Sequence, residues 1–216
     1  MSENKPLPAF IAVEGPIGVG KTTLTNKLAD HLGYQTVLER ADENPFLERF
    51  YKNRRQAALA TQLYFLFQRA QQLDEFKQSD LFKPTKVADF LMQKDRLFAR
   101  ANLDSDEMAL YEKVYNQLTL DAPVPDLVIY LQAPADVLMN RIQNRGIRYE
   151  QRVERRYLEE INEIYSEFFL YYEDSPLLIV NASEIDFANN PRDFQQLLDY
   201  IPRIHSGRHY FNPSLV

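Results

Sequence analysis

Cysteine is absent from this chain of 216 residues. That excludes disulfide staples, thiol nucleophiles and thiolate metal sites together. Histidine is scarce: His31, His205 and His209 are too few and too scattered for a transition-metal centre. A basic excess is also missing. The formal charge is −6, which argues against a broad nucleic-acid footprint, because phosphate backbones are bound by net basic faces. No apolar run reaches membrane-spanning length, and "MSENKPLPAF" lacks the apolar core of a signal peptide. The reading these absences leave is a cytoplasmic enzyme with neither nucleic-acid nor membrane partners. The length suits one domain with a sizeable core.

Glycine is scarce too, with only six residues, yet Gly15, Gly18 and Gly20 crowd into "FIAVEGPIGVGKTTL" (10–24). The run Gly15, Pro16, Ile17, Gly18, Val19, Gly20, Lys21, Thr22 fits G-x-x-x-x-G-K-[ST]. Without Cβ atoms the backbone can bend sharply and turn several N–H groups toward one anion. The helix expected from Thr22 and Thr23 onward adds its positive end. Lys21 is expected on the terminal phosphates of a nucleoside triphosphate and the Thr22 hydroxyl on Mg²⁺. A guanine-reading N-K-x-D is missing: "NKLA" (26–29) lacks the aspartate.

Short apolar runs alternate with helical patterns along the chain. The runs are 9–13, 36–38, 86–90, 126–131 and 177–180, each too short for a helix. Helices are expected at 22–32, 56–78, 106–120, 135–145, 153–173 and 191–200, the last with Pro191 in its first turn. Residues 56–78 carry an apolar stripe of Leu59, Leu63, Leu66, Phe67, Ala70 and Leu73. Five strands separated by helices predict an α/β fold: a parallel sheet with helices on both faces, binding ligands at the carboxyl ends of its strands. We expect one domain, with its core at about 8–203. No role is evident for the tail "SGRHYFNPSLV".

The segment "NRIQNRGIRYEQRVERR" (140–156) holds six arginines and two glutamates in an acidic protein. On one continuous helix Arg141, Arg145, Arg148, Arg152 and Arg155 would share a face, with neighbours ~5–6 Å apart and mutually repelling. A bound anion reverses that sign. Gly146 interrupts the run, which predicts a hinged lid at about 141–156 that closes over a transferring phosphate. Arg152, Arg155 and Arg156 are the members best explained as surface partners of nearby glutamates. On the acceptor side, Glu39 follows the second strand and Asp89 ends the third; either suits a hydroxyl proton, and Asp89 also suits Mg²⁺. Spacing alone leaves both open.

The strings "GPIGVGKTTL", "LERADENPFLERFY", "ATQLYFLFQR", "VADFLMQKDRLFA" and "RIQNRGIRYEQ" run in an order and spacing that resembles the deoxynucleoside kinase family, especially its bacterial branch. The resemblance implies a P-loop kinase fold, ATP as donor, Mg²⁺, a deoxynucleoside acceptor and a homodimer. It implies Glu39 as the carboxylate at the 5′-hydroxyl, and Tyr51 and Glu150 as the pair at the 3′-hydroxyl. Gln62 matches the glutamine at the nucleobase edge, Arg69 an arginine near the base, and Phe98 the aromatic that stacks on it. Arg141 and Arg145 match lid arginines, and Asp186 and Phe187 the loop around the ATP adenine.

The chain departs from the family where an acid-Arg-Ser motif commonly follows the third strand. Phe90 stands in place of that arginine, leaving Lys94, Arg96 and Arg100 as candidate replacements and Asp95 as the candidate partner of the base. Two competitors remain: a nucleoside monophosphate kinase of the thymidylate kinase type, and a nucleotide-binding module without turnover. The first needs basic groups for its acceptor's phosphate, whereas "ERADENPFLE" is acidic.

Overall fold

The structure is a computed structural model that describes residues 6–79, 85–119, 122–185, 187 and 190–212, with 76–79 described as backbone only. Among these, six strands form one parallel sheet: β1 (Phe10–Glu14), β2 (Gln35–Val37), β3 (Lys86–Ala88), β4 (Leu127–Gln132), β5 (Leu177–Asn181) and β6 (Arg208–Phe211), in the order β2-β3-β1-β4-β5-β6. The expectation of five strands is corrected here. The unassigned tail supplies β6, which pairs parallel with β5 from Leu177↔Arg208 to Val180↔Phe211. Its sequence, RHYF, is half exposed because it lies at the sheet edge, so it shows no apolar run to read.

Eight α-helices flank the sheet among the described residues: α1 (Lys21–Leu32), α2 (Leu47–Lys52), α3 (Arg54–Ser79), α4 (Lys94–Asn102), α5 (Ser105–Leu118), α6 (Ala135–Arg145), α7 (Arg155–Leu170) and α8 (Pro191–Tyr200). The helices α2 and α4 were not expected. None of the eight is long and apolar enough to cross a membrane. Pro191 does begin α8, where Asn190 caps the Arg192 N–H at 3.0 Å. At α5, Asp104 accepts from the Glu107 N–H at 3.0 Å and Glu107 returns a carboxylate to the Asp104 N–H, a reciprocal cap worth about 1 kcal/mol.

The core is the sheet itself. Ile11, Ala12, Val13, Val128, Ile129 and Leu131 are completely buried between the helical layers, as parallel strands covered on both faces require. Asp126 fastens the start of β1 by accepting from the Ala9 and Phe10 N–H groups at 3.0 and 2.8 Å. Central β1 ends in Glu14, so the glycine loop leaves the middle of the sheet at its ligand edge.

Candidate active site

The glycine loop folds as its residue types dictate. Gly15 has φ +150° and Gly18 has φ +80°, and an added Cβ would stand 2.5 Å from the Leu131 carbonyl oxygen at the first and 2.8 Å from Ile142 Cγ1 at the second. The loop is therefore packed directly on β4 and α6. Lys21 opens α1, and its ammonium donates to the Gly15 and Pro16 carbonyls at 2.9 and 3.1 Å. Burial, and then the nearby Lys94 charge, push its pKa down to about 8, against the opposing pull of Glu14, Glu39 and Asp89. Thr22 donates to Asp89 Oδ2 at 2.6 Å, and Asp89 Oδ1 accepts from the Glu39 N–H at 2.7 Å. Burial raises the Asp89 pKa.

Glu39 enters the site just beyond β2. One of its oxygens is ion-paired to Arg69, and the other lies 3.2 Å from the Lys94 ammonium. Burial pushes its carboxyl up, but Arg69, Lys94 and Lys21 together hold it well below the usual carboxylate range. Arg69 also meets Asp95 at 2.8 Å. Asp95 was expected at the base, yet it stands behind Arg69 and does not line the cavity; its effect on a ligand would pass through that guanidinium. Of the three candidate cations after β3, Lys94 is the one that reaches Glu39, while Arg96 is engaged by Glu112 at 2.8 Å. Phe90 is buried, with the Arg69 guanidinium 5.9 Å from its ring centre.

Both halves open into one cavity of about 1090 Å³. Its walls include Gly15, Ile17, Gly18, Val19, Gly20, Lys21, Thr22 and Thr23 on one side, and Glu39, Tyr51, Gln62, Arg69, Phe98 and Glu150 on the other. Tyr51 stacks on Tyr149 with ring centres 6.0 Å apart. Burial raises the Tyr51 pKa well above its ordinary value. Glu150 Oε1 accepts from Arg145 at 3.5 Å, while its Oε2 is buried with no hydrogen-bond partner among the described residues. Burial raises the Glu150 pKa.

The arginines do not share one face. The helix α6 stops at Gly146, which has φ +71°, and a 3₁₀ turn (Glu150–Arg152) precedes α7. Arg145 lines the cavity and is half exposed. Arg141 donates to the Val19, Ala182 and Ile185 carbonyls at 3.2, 2.7 and 3.3 Å, which ties the glycine loop to the stretch after β5. Arg155 pairs with Asp136 and Glu159, and Arg156 with Glu160, all at the surface. Phe187 lines the cavity beside Ser183, Glu184 and Ile185; Asp186 lies outside the described residues. Sequence reasoning did not single out Glu14, Phe65, Tyr149 or Tyr157. An acid closing the strand before the glycine loop was the available signal for Glu14; the aromatics gave none, since aromatic residues are ordinary core material.

The sequence model of the deoxynucleoside kinase family matches residues 11–205. The chain is similar to a deoxyguanosine kinase of Bacillus subtilis (strain 168), 32% identical over 200 residues that span 90% of this chain and 97% of that one. It is likewise 32% identical over 208 residues to the deoxyadenosine/deoxycytidine kinase of the same organism, covering 92% and 94% of the two chains. The solved structure of deoxyadenosine kinase from M. mycoides with bound dATP matches with a TM-score of 0.76 at 28% identity, covering 89% of this chain and 98% of that one. The chain belongs to the deoxynucleoside kinase family.

Proposed function

We propose that this protein transfers the γ-phosphate of ATP to the 5′-hydroxyl of a deoxyribonucleoside and releases the monophosphate. The observation that carries this reading is the placement of Glu39 opposite the glycine loop in a single cavity, with a cation on each of its oxygens. The loop amides and Lys21 hold the polyphosphate. Glu39 receives the hydroxyl proton as the alcohol oxygen attacks phosphorus and the bond to the leaving diphosphate breaks. A strong base is unnecessary, because the transition state is loose and little proton transfer precedes bond cleavage. Asp89 is the alternative base, but Thr22 and the Glu39 N–H already engage its two oxygens. That favours the metal side for Asp89.

The Thr22 hydroxyl and the Asp89 carboxylate are hard oxygen donors side by side, the type that suits Mg²⁺. When bound there, the ion would neutralise charge on the phosphate oxygens. Arg145, in the last turn of α6, adds positive charge over the transferring group; Arg141 braces the loop and the adenine-side segment that includes Phe187. Tyr51 and Glu150 Oε2, which has no hydrogen-bond partner among the described residues, suit a sugar 3′-hydroxyl. Gln62 presents a donor and an acceptor together to a base edge, Arg69 orients Glu39, and Phe98 offers a stacking face.

The acceptor end carries Glu39, Asp42 and Glu150, and its cations Arg69 and Lys94 are matched by Glu39 together with Asp95 and Glu14. A neutral nucleoside fits this balance better than a monophosphate. A cytoplasmic homodimer, 1–216 as a single domain and a lid over 141–156 complete the proposal. The test supplies Mg²⁺ and γ-labelled ATP with each of the four deoxynucleosides, and separately with their monophosphates. Label on at least one deoxynucleoside is expected; label on monophosphates alone would refute the reading.

A further inference from the structure

Lys94 joins the two halves of the cavity. Its side chain is 6% exposed and sits 3.2 Å from Glu39 Oε2 and 3.8 Å from Glu14 Oε1. Glu14 is completely buried at the end of β1. Its Oε1 accepts from the Gly15 N–H and the Tyr165 hydroxyl, both at 2.8 Å, and its Oε2 accepts from the Leu91 N–H at 2.8 Å. Glu14 is thereby fixed to the first residue of the glycine loop. Glu39 is the carboxylate at the other wall. One buried ammonium faces both.

A charge removed from water is tolerated only when opposite charge and hydrogen bonds meet it closely. Turning Glu39 away from Lys94 would leave an ammonium facing the Glu14 carboxylate at the wider contact alone. Arg69 holds the other Glu39 oxygen, but it connects Glu39 to Asp95 on α4 and not to the donor loop. The Lys94 N–H donates to the Leu91 carbonyl at 3.0 Å, so the residue that carries the ammonium is anchored to the same short segment whose N–H holds Glu14.

We propose that Lys94 is a positioning residue that sets Glu39 in register with the glycine loop through Glu14. This rests on the kinase reading above and adds to it a link between donor and acceptor walls.

Steady-state and single-turnover kinetics with Mg-ATP and the preferred deoxynucleoside test it on Lys94→Met, Lys94→Arg, Glu39→Gln and the Lys94→Met/Glu39→Gln double variant. Lys94→Met should lower kcat roughly tenfold to a hundredfold, a part of what a well-placed proton acceptor supplies. The KM values for both substrates should stay within about threefold, because substrate contacts remain. Lys94→Arg keeps the charge and should recover most of kcat. In the Glu39→Gln background Lys94→Met should cost nothing further, since the group it positions is already lost. Unchanged kcat in Lys94→Met, or an equal further loss in the Glu39→Gln background, overturns the proposal. Circular dichroism establishes folding, and Lys94→Gln carries the same comparisons if the methionine variant is unfolded. A wild-type protein without turnover contradicts the kinase reading and this proposal with it; wild-type turnover that Lys94→Met leaves intact contradicts this proposal alone.

Discussion

Charge at single residues determines what this site can do. Glu39 stays ionised through the physiological range because Arg69 and Lys94 outweigh its burial. Lys21 is the group poised to change. Its pKa near 8 lies below the ordinary 10.5, so above pH 8 the folded protein binds fewer protons than the unfolded chain. By linkage, Lys21 makes stability rise between about pH 8 and 10.5, while below pH 8 the buried charge opposes folding throughout. Its neutral form also loses its attraction for phosphate. We predict that kcat/KM for ATP falls as pH rises through about 8, whereas kcat stays flat, because a bound polyphosphate keeps Lys21 protonated. A pH profile of both parameters checks this. Lys21, Glu39, Gln62 and Phe98 were legible as candidate site residues because motif spacing or ordered resemblance marks them, and all four line the cavity. The bond from Lys94 to Glu39 spans 55 residues, and nothing local in sequence announces such a contact.

At the scale of elements, periodicity revealed the long helices and the interior strands, since those bury one face or both. It failed at α4, whose buried residues include Lys94 and Asp95 alongside Leu97 and Ala99. Charged residues that turn inward to serve a site erase the apolar stripe. It failed at α2 because six residues are too few to show a period, and at β6 because an edge strand is only half covered. The contact of the glycine loop with α6 was also invisible. A Cβ at Gly18 would stand 2.8 Å from Ile142 Cγ1 and 3.1 Å from the Leu138 carbonyl oxygen, at a φ of +80°. Gly18→Ala should raise the KM for ATP about tenfold or more, as roughly 1–3 kcal/mol of local strain implies. It should leave the deoxynucleoside KM nearly unchanged; parallel titrations of the two substrates read the difference. The same packing fixes α6 to the loop, so in the proposed lid over 141–156 the residues after Gly146 are the ones expected to move.

For the whole molecule, one parallel sheet brings a phosphate cradle and an acidic acceptor wall to the same edge, and the alternation of runs and helices foretold that architecture. Phe67 on α3 is 54% exposed and Leu110 on the adjoining α5 is 49% exposed; in the proposed homodimer a second copy would cover these apolar groups. The Phe67→Asp/Leu110→Asp double variant should sediment as a monomer where the wild type sediments as a dimer. A monomeric wild type would refute the homodimer.

The central claim, a proton acceptor facing a triphosphate cradle across one cavity, is tested most directly by Glu39→Gln. Quench-flow measurement of phosphoryl transfer, paired with calorimetric titration of ATP, should give a rate lower by roughly 10²–10⁴-fold with ATP affinity within about threefold of wild type. A glutamine variant that transfers phosphate at the wild-type rate would contradict the account.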